Sequence, residues 1–346
     1  MGWTRTVDGN ILAGVKVTVV DTNEVTKSDG HGLYRFYDNV TAGDSVVVKF
    51  QKEGYATSSL IVKINPETDT VANVTMKALE APVVLNATVG GTASDVRGNK
   101  LVVPANAFVR RDNGKAVAGD VDVHITPLDV TDTDDLAAFP GEFLAVAAGA
   151  KADDTVRLET FALADFTVMQ DDVDLDLSPA KAEDSYIELV LPETTPLMAG
   201  EQVPLWYFDE EAGLWIEEGV GDVIANKAGE LIYRAPIAHL SWWNCDKPIS
   251  ETHCITGQAL DNDGSPIPYA RIEAQGVNYS GSSYATADGN GNFCVDVKRN
   301  SIVNVNLYLP GGTMIMDSVQ VTALDTAANC STGNCTPLPR PLRANF

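Results

Sequence analysis

This chain of 346 residues lacks the short signatures of conventional enzymes. It has no Gly-x-Ser-x-Gly elbow, no His-Glu-x-x-His pair and no glycine-rich loop ending in Gly-Lys-Ser/Thr. Those absences remove the common serine hydrolases, zinc peptidases and phosphate-loop enzymes. Long apolar runs are missing as well. Phe143 to Ala150 is among the longest and is far too short to cross a bilayer, so membrane insertion is not expected. No basic-then-apolar leader follows Met1, and a strand pattern begins almost at once, which reads as a mature or excised part of a longer chain. Cations are scarce: 24 Lys and Arg stand against 48 Asp and Glu, a net charge of −24. Such a field repels phosphate backbones and anionic lipid, excluding nucleic acid and membrane surfaces as partners. What is present, 45% hydrophobic residues, suffices for more than one core, and the length favours two or three domains.

All five cysteines lie after residue 244, at Cys245, Cys254, Cys294, Cys330 and Cys335. Confined to one short module, they read as disulfide staples made in an oxidising compartment, hence an extracellular or cell-surface protein. Cys330 and Cys335 bracket Ser-Thr-Gly-Asn and can close a small loop, while Cys254 and Cys294 sit on two expected strands and can pair. Cys245 is then the odd one, and other pairings stay open. A zinc site from Cys245, His253 and Cys254 is disfavoured, because adjacent His-Cys lacks the usual ligand spacing.

Short strands punctuated by turns fill residues 1–79. Asp8-Gly9-Asn10 turns the chain, and Val15, Val17 and Val19 alternate with Lys16, Thr18 and Val20. Ser28-Asp29-Gly30-His31-Gly32 turns it again before Leu33, Tyr34 and Phe36, and Val46 to Phe50 forms a further strand. The end of the chain repeats the plan. Ile267 to Ile272 follows Asp263-Gly264 as Ile11 to Val17 follows Asp8-Gly9, and Ala287-Asp288-Gly289-Asn290-Gly291-Asn292-Phe293 matches Ser28 to Tyr34. Both ends, about 1–79 and 250–325, resemble carboxypeptidase regulatory-like domains, which are transthyretin-like β-sandwiches. That likeness implies non-catalytic accessory or interaction modules.

The middle, about 85–248, carries Leu101 to Phe108, Gly119 to Asp129, Pro204-Leu205-Trp206-Tyr207-Phe208 and Gly213-Leu214-Trp215. It resembles a ZU5-type β domain passing into a UPA-like one, as in bacterial surface proteins and in the extracellular cartilage intermediate layer protein and FAM171-type proteins. Trp206 and Trp215 flank a turn and are expected to stack across paired strands. Asp171 to Leu177 alternates acid with apolar residues, a strand with a solvated acidic face.

His239-Leu240-Ser241 matches the tripeptide at which some ZU5-containing and related domains cut themselves. The resemblance implies attack of the Ser241 hydroxyl on the Leu240 carbonyl with His239 as base, braced by Trp242 and Trp243. The rival reading places Ser241 on a strand and His239 in packing, with the two tryptophans plugging the junction to the next module. Asp129, Asp132, Asp134 and Asp135 crowd one loop and are the candidate calcium ligands; otherwise no cofactor is expected. His31, His124 and His253 read as structural.

The expectation is an all-β chain of consecutive antiparallel β-sandwich units: residues 1–80, a ZU5/UPA-like region 81–248, and a disulfide-bearing 249–346. Its function is structural or interaction-bearing within a surface protein, adhesin or filament, with a protein partner or self-association through sheet edges. A small-molecule substrate is not expected. Self-processing after Leu240 and carbohydrate binding by exposed tryptophans are the alternatives.

Overall fold

The computed structural model describes residues 1–36, 45–64, 70–309 and 314–344. The chain is all-β: the helical pieces among those residues are one α-turn, Thr133–Leu136, and two 3-10 turns, Pro140–Phe143 and Ala182–Asp184. Alternation in sequence becomes alternation of exposure. In Ser45–Gln51, Val46, Val48 and Phe50 point inward while Ser45 is exposed and Val47, Lys49 and Gln51 are half-buried. Because successive side chains of a strand face opposite ways, that pattern fixes which face packs.

The first unit has two sheets. Gly2–Thr6 lies antiparallel to Leu33–Tyr34 and parallel to Val74–Met76. Facing it, the strands run in the order Val25–Lys27, Lys16–Val19, Ser45–Gln51, Ser58–Lys63. Val15, Val17, Tyr34, Val48, Phe50 and Met76 fill the space between. The last unit repeats this plan with one strand added to its first sheet. Thr252–Asp261 is antiparallel to Asn292–Lys298 and parallel to Thr336–Pro337 and Leu342–Ala344. Its second sheet runs Ser282–Thr286, Arg271–Gly276, Ile302–Tyr308, Ile315–Thr322. The repeated turn also has one geometry. Asp29 accepts from the backbone N–H of His31 and Leu33, as Asp288 does from those of Asn290 and Asn292. These N–H donors hold both carboxyls below the usual range.

Between the two, a 13-stranded sheet is organised on the long strand Thr155–Gln170. That strand pairs with Asp120–Leu128, Leu144–Val146, Val173–Leu177 and Trp242–Pro248. Adjacent residues of the last of these serve separate cores: Trp243 and Cys245 pack with Leu205 and Phe166, while Trp242 packs with Phe139, Trp206 and Trp215.

Three expectations change here. Trp242 ties the middle to the first unit rather than to the next, since its indole donates to the Thr57 carbonyl at 3.0 Å. Trp215 does not stack on Trp206. The register sets Trp206 opposite Glu217 and Trp215 opposite Phe208, so Trp215 packs on Phe208 and Phe139 at 5.4 and 5.1 Å between ring centres. The disulfides are Cys254–Cys335 and Cys294–Cys330, replacing the two pairings weighed from sequence. Cys254 and Cys294 occupy neighbouring strands of one sheet, and the returning segment lays Cys330 and Cys335 over them. Cys245 is free and buried.

Trp242→Ala should lower unfolding free energy by about 3–5 kcal/mol in chemical denaturation, through lost contacts and the cavity left in the shared core. Val96→Ala, at a fully exposed position, should change it by less than about 0.5 kcal/mol.

Candidate functional site

The bend between Leu231–Pro236 and Trp242–Pro248 carries the tripeptide His239-Leu240-Ser241. Leu240 is driven into the core, and its peptide groups are gripped from both sides. Its N–H donates to Asp176 Oδ1 at 2.8 Å, and its carbonyl accepts from the Arg111 guanidinium at 2.9 Å. Arg111 is itself 3.8 Å from Asp176. The acid–apolar alternation of Val173–Leu177 explains half of this clamp: Leu175 and Leu177 are buried, leaving Asp176 on the opposite face. Arg111 follows the strand Phe108–Arg110 and is fixed by its own N–H to the Asp174 carbonyl at 3.0 Å.

A charged donor on the Leu240 carbonyl polarises it toward attack. The other two groups are turned elsewhere. Ser241 Oγ donates to the Phe208 carbonyl at 3.0 Å, and the Ser241 carbonyl accepts from Phe166 N at 3.1 Å. The His239 ring sits between Tyr207 and Trp243, 4.6 and 4.8 Å from their ring centres, with Nε2 3.5 Å from Glu218. Among the described residues no hydrogen bond joins His239 to Ser241 Oγ. Nucleophile and base are therefore neighbours in sequence but not partners in this geometry.

Two acids that sequence reasoning passed over lie close by. Asp165 stands directly across the ladder from Trp242 and is buried. Burial pushes its carboxyl up to about 7, against a hydrogen bond from Thr167 that pulls the other way. Asp246 is fully buried, accepts from Thr160 Oγ1 and Asn244 Nδ2, and is raised well above the carboxylate range by burial. The Asp165 signal was legible as an acid inside an apolar run, Phe161 to Val168. Asp246 gave none beyond alternation.

The aspartates weighed as calcium ligands lie in and beside the short helical turn Thr133–Leu136. Asp129 accepts from Thr131, Asp132 caps the short helix through Asp134 N, and Asp135 binds Lys77 and Asp129 N. Among the described residues no three of the four carboxylates converge on one point. The carboxylates of Asp129, Asp132 and Asp135 are thus engaged by local backbone or by an ion pair.

A mixed cleft of about 620 Å³ lies between the outer strands Ser58–Lys63 and Ser282–Thr286, with Trp3, Glu142, Arg157, Arg271 and Tyr284 on its walls. Two of its guanidinium groups are engaged: Arg271 pairs with Glu142 at 2.7 Å, and Arg157 donates to the Glu142 carbonyl at 2.7 Å. Trp206, Trp215, Trp242 and Trp243 are all buried, so none of them offers a face to a sugar ring.

No protein-family model matches the chain, and no curated protein matches it. Solved structures that resemble it include BcpA, the major pilin subunit of Bacillus cereus, at 10% identity over 99% of this chain and 97% of that one, with a TM-score of 0.17. The Corynebacterium diphtheriae major pilin SpaA gives 11% identity, 99% of both chains and 0.17. The T6 backbone pilin of serotype M6 Streptococcus pyogenes gives 10%, covering 93% of this chain and 79% of that one, with 0.18. At such scores the likeness bears no weight.

Asp165 makes stability pH-dependent. With a folded value of about 7 against an unfolded value near 3.8, the native chain holds the proton that the unfolded chain releases. Stability should therefore fall as pH rises from about 4 to 7, by at most about 1.4 kcal/mol per pH unit from this group, and level off above. Urea midpoints measured across that range should lose this slope in Asp165→Asn.

Proposed function

We propose that this chain is a non-catalytic structural and interaction element of an extracellular or cell-surface assembly, joining copies or partners through its sheet edges. The finer likenesses, to carboxypeptidase regulatory-like ends around a ZU5/UPA-like middle, belong to the same proposal. The observation that carries it is that four exposed apolar side chains lie on outer strands. Val25 is on Val25–Lys27, Ile61 on Ser58–Lys63, Val84 on Val83–Asn86 and Ile315 on Ile315–Thr322. Each of these strands is the outermost of its sheet. Outer strands carry unused backbone donors and acceptors, and apolar side chains beside them favour strand addition. Two disulfides and the net charge of −24 agree with a soluble life outside the cell.

Sedimentation and negative-stain electron microscopy at rising concentration test this reading. Association should strengthen with salt as like charges are screened. Val84→Lys and Ile315→Lys should weaken it while leaving the urea midpoint nearly unchanged. A chain that stays monomeric under all conditions and binds no surface partner would sink the proposal.

A second reading, self-cleavage between Leu240 and Ser241, is favoured by one feature, the Arg111 guanidinium on the Leu240 carbonyl. Denaturing intact mass should then show fragments 1–240 and 241–346, with Ser241→Ala and Arg111→Ala both restoring the whole chain. A single uncut mass after prolonged incubation rejects it.

A further inference from the structure

We propose that Cys254, Cys294, Cys330 and Cys335, while still thiols, form a binding site for one soft divalent cation of the zinc type, which the two disulfides replace on oxidation. The sulfurs of Cys254, Cys294 and Cys335 lie within 4.8 Å of one another. Cys294 and Cys335 belong to different disulfides, yet their sulfurs are 3.7 Å apart. Around a zinc ion with sulfur bonds of about 2.3 Å, the edge of the tetrahedron is about 3.8 Å. The unbonded pair already stands at that edge. Cys330, bonded to Cys294 and outside the close group of three, would turn in to supply the fourth corner, and each bonded pair would open by side-chain rotation once its bond is gone. Cys330 and Cys335 are also separated by four residues, a spacing that zinc-binding pairs use.

The convergence does not rest on the sulfur–sulfur bonds alone. Asn329 shapes the loop by accepting from Ser331 N and Thr332 N at 3.0 and 2.9 Å. Cys330 N donates to Asp296 Oδ1 at 2.8 Å, on the strand that carries Cys294. On the other side, Thr336–Pro337 pairs with Thr252–Asp261, and Leu338 N donates to the Thr256 carbonyl at 2.8 Å. His253 adds two ties, through Nδ1 to Thr326 O and Nε2 to Thr336 Oγ1. Its ring is committed to holding the segment and is not a ligand. Reduction therefore leaves three thiols, Cys254, Cys294 and Cys335, close together on a scaffold with anchors of its own, with Cys330 beside Cys294. Solvent reaches the cluster, because Cys330 is exposed.

The chemistry balances simply. Up to four sulfur–metal bonds form while thiol protons pass to solvent, and no electron moves. On oxidation, each pair of thiolates gives two electrons to an external disulfide, which leaves as two thiols, and the metal is released. The metal would hold the C-terminal segment folded before the chain meets an oxidising compartment.

Cobalt(II) is the probe, added anaerobically to the reduced full chain. One equivalent should produce thiolate-to-cobalt charge transfer and the strong visible bands of tetrahedral sulfur ligation, displaced by zinc. The disulfide form should show neither. Cys245→Ser should behave as the parent, and Cys294→Ser should bind about tenfold or more weakly. Alkylation followed by mass should find four thiols shielded by zinc. Absent bands, bands of undiminished affinity in Cys294→Ser, or a reduced terminal module that cobalt fails to keep folded by near-ultraviolet circular dichroism would each overturn the proposal. Edge-mediated assembly stands or falls separately, since it is read on oxidised chain without metal.

Discussion

Three indole donors, each aimed at a backbone carbonyl, hold the middle of this protein in register with what surrounds it. Trp206 reaches Asp246, Trp215 reaches Pro140 and Trp242 reaches Thr57, all inside one buried cluster. A buried indole N–H left without a partner costs more than its ring gains in specificity, so these three contacts dictate how the elements approach. Ala56 of the first unit sits in that same cluster, with Val7 and Leu79 packed against it. The seam is thus a core shared by two units, closed by a hydrogen bond, and ringed by Lys49 between Glu210 and Glu211.

Local strain is placed where that seam meets the last unit. Gly141, Glu142 and Phe143 all have positive φ, at 70°, 53° and 60°. Glycine is required at the first, because a Cβ there would stand 2.5 Å from the Phe208 ring. Glu142 and Phe143 adopt a backbone that L side chains disfavour, and the surroundings over-determine it. Phe143 stacks on Phe139 at 3.8 Å, while Glu142 takes Arg271 through its carboxylate and Arg157 through its carbonyl. The strained turn is therefore a clasp, converting packing in one core into an ion pair with the neighbouring unit.

Much of this was legible in the chain. Alternating Val15, Val17 and Val19 gave a strand, and Asp29 and Asp288 marked the same turn in two copies because a carboxylate that caps its own backbone leaves a compact signature. Register was not legible. Trp215 met Phe208 instead of Trp206 because the turn Asp209 to Gly213 sets the pairing, and a shift of two residues changes every neighbour. Disulfide partners were hidden for a related reason: the return of Cys330 and Cys335 across the sheet is a long-range event with no local trace. The clamp on Leu240 combines Arg111, Asp176 and residue 240 from three separate stretches, so spacing along the chain could name the tripeptide and not its donors.

The placement of the two disulfides at one end follows from the same mechanics. The first unit is held at its base by the shared tryptophan core and needs no covalent staple. The last unit closes its first sheet with Thr336–Pro337 and Leu342–Ala344, two short strands joined parallel to Thr252–Asp261. Such strands are short and bring together positions far apart in sequence, so their closure is entropically costly. Cys254–Cys335 spans 81 residues and constrains the unfolded chain over that whole loop, a contribution of about 2–4 kcal/mol. Cys294–Cys330 then fixes the approach to the same segment from the neighbouring strand. Where packing is thin the chain uses sulfur, and where tryptophan is dense it leaves Cys245 as a buried thiol whose burial pushes its titration far up.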